Sequence, residues 1–503
     1  MSSSSSGSVV GTNLTPLALV KHLENKILID GKLVAPKSKK TFSVHNPATM
    51  EVIGQAAEAH EIDVNEAVES AHKAQKKWRH MDAARRGHLV SQCADLLEEH
   101  ADELARLMTL ETGKALRTES QVEAKIFANT FRFYGGLGLE IKGETIPLSD
   151  SMLALTIREP LGVIGAIIAW NVPLLLMSLK VAPALVAGNT VVIKSAEEAP
   201  FAVLRAAEIM NTILPPGVLN MISGDGPTTG ALLVRHPKVA KLTFTGSVET
   251  GKEIYKNSGD KLVPVTLELG GKSPMIVCED VDLDQAVSGA LASMRFTRQG
   301  QSCTAASRIF VHETIFEPFL AQLKEKLNSL KMGDPMDSET DIGAIISPGQ
   351  HEKVLKYIEI GKAEPGSVAH ECSALPQDPK LSKGLFVQPV LFTGLPNSHQ
   401  VCQEEIFGPV TALIPWTDFD DVLDQANDSD YGLAATLWTK NLQRALKGVY
   451  QLEAGFVQVN QNVVVQPGLS YGGVKSSGIG KEASLEAMLE HFTHKKTIIF
   501  NMK

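Results

Sequence analysis

The sequence predicts the α/β class: a parallel sheet with helices on both faces, followed by a second α/β unit. Two observations point there. From residue 161 to residue 246, short β-rich runs alternate with helix-patterned runs, the order expected of a parallel sheet with crossover helices. After Thr266-Leu-Glu-Leu-Gly-Gly271 the alternation begins again. The length agrees, because 503 residues, 44% of them hydrophobic and 21% charged, exceed one core and suggest about three folding units.

Taken in order, residues 1–15 open with Met-Ser-Ser-Ser-Ser-Ser-Gly-Ser and are expected to be a disordered tail. Residues 27–34 and 42–47 read as short strands around turns. From 63 to 116 the pattern is helical, with Leu89, Cys93, Leu96, Leu97, Leu104, Leu107 and Met108 mostly at steps of three and four. Residues 153–160 read as a strand. The apolar run 161–179 nearly reaches membrane-spanning length, but Asn171-Val-Pro173 divides it. A buried strand passing into a buried helix fits better, with Asn171 near the cap and Pro173 in the first turn.

Beyond it, 190–194 is a buried strand, and Val203, Ala206, Ala207, Met210 and Ile213 line one helix face that Pro215-Pro-Gly217 stops. Residues 218–222 read as a strand, 227–235 as a helix and 241–245 as a strand ending at Gly246. In the second unit a strand at 275–277, a helix after Asp282 and a strand at 308–312 flank Arg298-Gln-Gly-Gln-Ser-Cys-Thr304. The terminal apolar strand 495–500 must pair with something, and a neighbouring subunit is one candidate.

A net charge of -9 gives no electrostatic reason to expect nucleic acid or an anionic membrane as partner. Five cysteines without Cys-x-x-Cys spacing argue for a reducing compartment and against a disulfide framework or a metal site. No Lys or Arg precedes Lys21 and no Arg precedes Arg79, which fits neither a signal nor a transit peptide, so a soluble, cytoplasmic protein is expected.

Several clusters have a chemical reading beside a plain structural one. Cys303, among glycine and small polar residues, is an accessible thiol; as a nucleophile it needs a base nearby or a pKa below the free value of about 8.5. As a small buried filler it needs neither. In Phe244-Thr-Gly-Ser-Val-Glu-Thr-Gly251, Gly246 and Ser247 mark a strand end and a helix start, suited to a phosphate or simply to a tight turn. Lys194 and Glu197, at another strand end, either hold ribose hydroxyls or belong to a solvated loop. Glu268, between apolar residues and before two glycines, is an exposed charge or a general base of raised pKa. Glu405 and Phe407 precede a Gly-Pro turn, and Asn171 is an oxyanion donor or an N-cap. None of the 14 histidines falls in these motifs.

Together, Trp170-Asn-Val-Pro, Lys194-Ser-Ala-Glu, Phe244-Thr-Gly-Ser, Leu267-Glu-Leu-Gly-Gly-Lys, Gly300-Gln-Ser-Cys and Glu404-Glu-Ile-Phe-Gly-Pro resemble the NAD(P)-dependent aldehyde dehydrogenase superfamily over nearly the whole chain. The resemblance implies a Rossmann-like coenzyme domain (16–140 and 161–270), an α/β catalytic domain (271–480) and a small β oligomerisation domain (141–160 and 481–503). It implies Cys303 as nucleophile, forming a thiohemiacetal and then a thioester, with Asn171 at the oxyanion and Glu268 activating the water. NAD is the implied cofactor. Trp170, Lys194, Glu197, Gly246, Ser247, Glu405 and Phe407 would bind it, and Glu197 would favour it over NADP.

The substrate region departs from the family pattern. Val172, Leu179, Thr297 and Val465 stand at positions that are often aromatic, while Tyr471 keeps a ring. A wide tunnel is therefore expected, suited to bulky apolar or aryl aldehydes, with Arg298 either lining it or facing solvent or a neighbouring acid. The resemblance also implies a homodimer or homotetramer. Rival readings are a CoA-acylating semialdehyde dehydrogenase, against which Glu268 counts, a hydrolase using the same cysteine, and a non-catalytic protein on the same fold.

Overall fold

A computed structural model describes residues 14–462 and 465–503. The tail expected over 1–15 lies outside the described residues as far as residue 13. Thr15 already caps the helix Pro16–Leu23, its hydroxyl accepting from the Ala18 amide at 3.3 Å.

The first sheet runs Lys32–Val34, Ile27–Ile29, Leu219–Ile222, Thr190–Lys194, Val163–Ile167, Val239–Thr245, Val265–Glu268, Gly478–Ile479. Its five central strands are parallel; Ile27–Ile29 and Gly478–Ile479 pair antiparallel at the two sides, and Lys32–Val34 turns back antiparallel on Ile27–Ile29. Val163–Ile167 enters first. The next two parallel strands lie to one side of it and the following two to the other, so the order reverses beside Val163–Ile167. Such a switch leaves a crevice beyond the carboxyl ends of the strands. Alternate residues face opposite cores: Ile164, Ala166, Val191 and Ile193 pack into one, and Val163, Ile167, Val192 and Phe244 into the other. That two-sided burial is why these strands read as continuous apolar runs.

The second sheet runs Val368–Glu371, Val390–Thr393, Val410–Trp416, Arg308–His312, Pro274–Val277, Ala434–Trp438, Phe456–Val459, parallel except for the first. It too is covered on both faces, Ile276 and Phe310 on one and Met275 and Ile309 on the other. A third sheet, antiparallel, joins Thr493–Asn501, Met152–Pro160 and Thr145–Ser149. The terminal strand thus finds its partner within its own chain.

The structure refines several boundaries. The helical region becomes Glu61–Trp78, Ala83–Glu99 and Ala101–Thr112, closed by Gly113 in the left-handed conformation at φ 71°. It continues through the wide turn Leu116–Ser120 into Gln121–Gly135, past the expected end. The expected helix over 227–235 is helical only at Ala231–Arg235, after a wider turn at Gly226–Gly230. Gly478–Ile479, placed by the sequence in the second unit, pairs instead with Val265–Glu268 of the first sheet. Among the described residues no helix is long and apolar enough to cross a membrane.

The helix Pro173–Val186 sets one wall of the site, and its cap is not the expected one. Val172 takes the N-cap position, and Asn171 turns elsewhere. Glu123, from the helix Gln121–Gly135, accepts from the amides of Leu174 and Leu175 at 2.9 and 3.2 Å. The same buried carboxylate pairs with Lys114, whose ammonium also donates to the Asn171 carbonyl at 2.9 Å. Glu123→Ala should therefore cost about 3–5 kcal/mol, because it strands a buried ammonium and uncaps the helix. Urea unfolding of the variant checks this; a change under about 1 kcal/mol would contradict it.

Candidate active site

Where the two parallel sheets meet, a cavity of about 80 Å³ gathers side chains that are far apart in the chain: Asn171, Glu268, Cys303 and Tyr471 among them. The cysteine loop is shaped by left-handed backbone at Arg295, Gln299 and Gly300 (φ 56°, 55° and 65°). A side chain at Gly300 would strike the Gly408 carbonyl, 2.1 Å from an ideal Cβ. Cys303 Sγ lies 3.5 Å from Tyr471 Oη. Burial pushes the thiol up to about 11, against the lowering effect of the Tyr471 hydroxyl, so the free protein holds it protonated at neutral pH. Cys93, Cys278, Cys372 and Cys402 are free as well but fully buried.

Glu268 ends the strand Val265–Glu268 and is buried, and neither carboxyl oxygen has a hydrogen-bond partner among the described residues. Burial, and after it the nearby Glu482, raises its pKa well above the usual carboxylate range. Glu482 is itself held by the buried Lys180 ammonium at 2.7 Å. The Asn171 amide lines the cavity and donates to the Gln301 carbonyl at 3.2 Å, next to the cysteine segment.

Val172, Leu179, Val465 and Tyr471 line the cavity, together with Leu175, Leu176 and Phe456. Thr297 does not. Its hydroxyl turns away and donates to Glu119, because the short turn Phe296–Arg298 directs it toward Gln121–Gly135 and the segment before it. Arg298 meets both expectations at once, lining the cavity while its Nε donates to Glu119 at 2.7 Å. Burial would raise the Glu119 pKa, but the Arg298 charge, the Thr297 hydroxyl and Lys114 together hold it below the usual range. Sequence reasoning passed over Lys114, Glu119, Glu123, Arg295 and Glu482. Arg295, an isolated charge in the apolar run Ala-Ser-Met-Arg-Phe, was the one with a visible signal.

A second groove, of about 670 Å³, opens at the switch point of the first sheet. Trp170, Lys194, Glu197, Gly246 and Ser247 line it. Ser247 caps the helix Val248–Gly259, accepting from the Thr250 amide at 3.2 Å, so the other first-turn amides point toward the groove. Lys194 is buried, donates to the Ser195 carbonyl at 2.9 Å and lies 3.8 Å from the half-exposed Glu197 carboxylate. Burial lowers its pKa, with Glu197 acting the other way. Thr245, its buried hydroxyl unpartnered among the described residues, borders both the groove and the cavity.

Glu405 and Phe407 stand apart from that groove, on the cysteine side. Glu405 accepts from the Gly271 amide at 2.9 Å, and Phe407 meets Trp170 edge to face with ring centroids 5.3 Å apart. Trp170 thus ties Phe407 to the groove's rim.

A thiol, a carboxyl of raised pKa and an amide donor beside a switch-point groove define the class, and the sequence match makes it specific: the chain belongs to the aldehyde dehydrogenase family, whose family model matches residues 33–498. It is similar to retinaldehyde dehydrogenase 3 of Rattus norvegicus, 40% identical over 498 residues, covering 97% of this chain and 96% of the relative. It is 41% identical over 483 residues to the mitochondrial benzaldehyde dehydrogenase of Antirrhinum majus, covering 95% and 89%. Among solved structures, the NAD+ complex of an aldehyde dehydrogenase from Bacillus cereus superposes with a TM-score of 0.93 at 39% identity, covering 98% and 99%.

Because burial holds the Cys303 thiol protonated, its alkylation by iodoacetamide in the free protein should accelerate about tenfold per pH unit from pH 7 to 9. A plateau reached near pH 7 would contradict the protonated thiol.

Proposed function

We propose that the protein oxidises aldehydes to carboxylic acids with NAD, holding the substrate covalently on Cys303. One observation carries this reading: a thiol, an unpartnered carboxyl of raised pKa and an amide donor share a single cavity. Cys303 would add to the aldehyde carbon while Glu268 in its ionised form, whose raised proton affinity suits a base working near neutrality, takes the thiol proton. The Asn171 amide and the Cys303 backbone N–H would donate to the resulting oxyanion. Once the thioester exists, Glu268 would take a proton from the water that releases the acid.

The groove suits NAD. It opens at a topological switch point, its rim is a capped helix N-terminus, and the buried Thr245 hydroxyl faces it without a partner among the described residues. The 39% identity to a Bacillus cereus protein solved as an NAD+ complex supports the same cofactor. Lys194 and Glu197 would hold the adenosine ribose, Gly246 and Ser247 the pyrophosphate, Glu405 the nicotinamide ribose, and Trp170 and Phe407 the nicotinamide end. Bound there, NAD supplies the hydride acceptor.

The aliphatic wall of Val172, Leu175, Leu176, Leu179 and Val465 supports a bulky apolar or aryl carbon skeleton. Relatives named for benzaldehyde and phenylacetaldehyde, the latter from Pseudomonas fluorescens at 41% identity, fit that reading. The third sheet exposes Leu148, Met152, Ile499 and Phe500, which supports the oligomerisation role of 141–160 and of the terminal strand in a homo-oligomer. The helix Leu485–His491 packs into the first core, so the oligomerisation unit of this reading begins after it, not at 481. Five free cysteines suit a reducing, cytoplasmic setting.

Cys303→Ala should abolish turnover while cofactor binding survives, and Glu268→Gln should leave a burst of reduced cofactor followed by a slow steady state. Turnover by the first variant, or loss of burst and steady state in equal measure by the second, would sink the assignment. NAD should be preferred to NADP, since a 2′-phosphate would meet the Glu197 carboxylate, and Glu197→Gln should narrow the ratio of specificity constants roughly ten- to hundredfold. A ratio of one in the unaltered protein would contradict the role of Glu197.

A further inference from the structure

The charges around the cavity do not cancel. Five charge-bearing side chains of Asp, Glu, Lys or Arg type line it: Glu123, Glu268, Arg295, Arg298 and Glu482. Three are matched by a partner of opposite sign: Glu123 by Lys114, Arg298 by Glu119 at 2.7 Å, and Glu482 by Lys180 at 2.7 Å. Burial and the Glu482 carboxylate beside it raise the Glu268 pKa and so disfavour its charged form. Arg295 remains. Among the described residues no carboxylate lies within ion-pair distance of it, and its one hydrogen bond there is a long one, 3.4 Å to the Asn462 carbonyl. Burial lowers its pKa to about 10, which still leaves it cationic at neutral pH.

Its backbone adds a second observation. Arg295 closes the helix Leu283–Met294 in the left-handed conformation, φ 56° and ψ 44°, where glycine or asparagine is the less strained choice. An arginine here puts a five-donor guanidinium at the cavity wall, on the loop that carries Cys303.

Building on the reading of this cavity as the aldehyde site, we propose that Arg295 anchors a carboxylate of the substrate, so that the aldehydes the enzyme selects are oxo-carboxylic acids. The aldehyde end meets Cys303, the carbon skeleton lies on the wall of Val172, Leu176 and Leu179, and the carboxylate takes the planar fork of Arg295. Arg298 competes less for the anion, because the Glu119 carboxylate already neutralises its charge. The anion completes a cavity that otherwise holds one unneutralised cation in an apolar setting, the arrangement in which a charge-assisted contact gains most.

Matched pairs test this on the full-length protein with NAD: succinic semialdehyde against butanal, and 4-carboxybenzaldehyde against benzaldehyde. The acid of at least one pair is expected to exceed its neutral partner in kcat/KM by roughly ten- to hundredfold. Arg295→Gln should bring that ratio to about one, chiefly through KM, and Arg295→Lys should restore part of it. Neutral aldehydes equal to or better than the acids in both pairs would overturn the proposal while leaving aldehyde oxidation standing. Equal losses for acid and neutral substrate in Arg295→Gln would also overturn it, assigning Arg295 to the thiol or the fold. Oxidation of no aldehyde at all would remove the underlying reading and the anchor together. Should Arg295→Gln fail to fold, the wild-type ratios decide by themselves.

Discussion

The site depends on one steric constraint, the close approach of the cysteine loop to the two glycines that leave the first sheet. An ideal Cβ on Gly271 would lie 2.4 Å from the Cys303 carbonyl oxygen, and one on Gly270 would lie 2.5 Å from a Glu405 carboxyl oxygen. Two bare backbone positions therefore let three segments converge: the strand end with Glu268, the loop with Cys303, and the turn with Glu405. A side chain at Gly271 would meet the Cys303 backbone and push the strand end from the loop, and positioning errors of about 1 Å already cost catalysis dearly. The hydrogen bond from the Gly271 amide to Glu405, at 2.9 Å, holds the seam closed.

Around that seam the protein buries several charges, and three carboxylate–cation pairs hold those at the cavity's walls. Lys114 and Glu123 bind the Asn171 carbonyl and the first turn of Pro173–Val186 into one unit, which fixes where the Asn171 amide points. Glu119 fixes Arg298 and Thr297 in the same way. Burying ions is costly, and breaking one partner costs more, so these pairs hold the cavity's walls to a single arrangement. Among the described residues, the charges without an ion-pair partner include Glu268, Lys272 and Arg295, and also Lys241 and Arg308, which hydrogen-bond to neutral groups. Burial shifts two of them toward the neutral form, raising the Glu268 pKa and lowering the Lys272 ammonium to about 7.

Much of the fold was legible because its strands are buried on both faces. Val163–Ile167 and Thr190–Lys194 are apolar throughout, and such runs between helix-patterned segments admit few architectures. The pattern was weaker where local conformation answers to tertiary neighbours. The wide turns at Leu116–Ser120 and Gly226–Gly230 carry no periodic signal, and the N-cap of Pro173–Val186 is supplied by a carboxylate from another helix. Thr297 looked like a tunnel residue because it stands at a position often aromatic in the family, yet Glu119, far earlier in the chain, draws its hydroxyl away.

The sequence by itself determined the class of fold, the family, and the short motifs whose residue types the chemistry needs, because those signals are local: alternation of strand and helix, glycines at strand ends, a cysteine among small polar neighbours. Only the tertiary structure decided the electrostatic state of the site. Whether Cys303 holds its proton, whether Glu268 is charged, and which of Arg295 and Arg298 is free depend on burial and on partners such as Tyr471, Glu482 and Glu119. Desolvation and ion pairing act through space over a few ångströms, and no spacing along the chain records which distant residues will come that close.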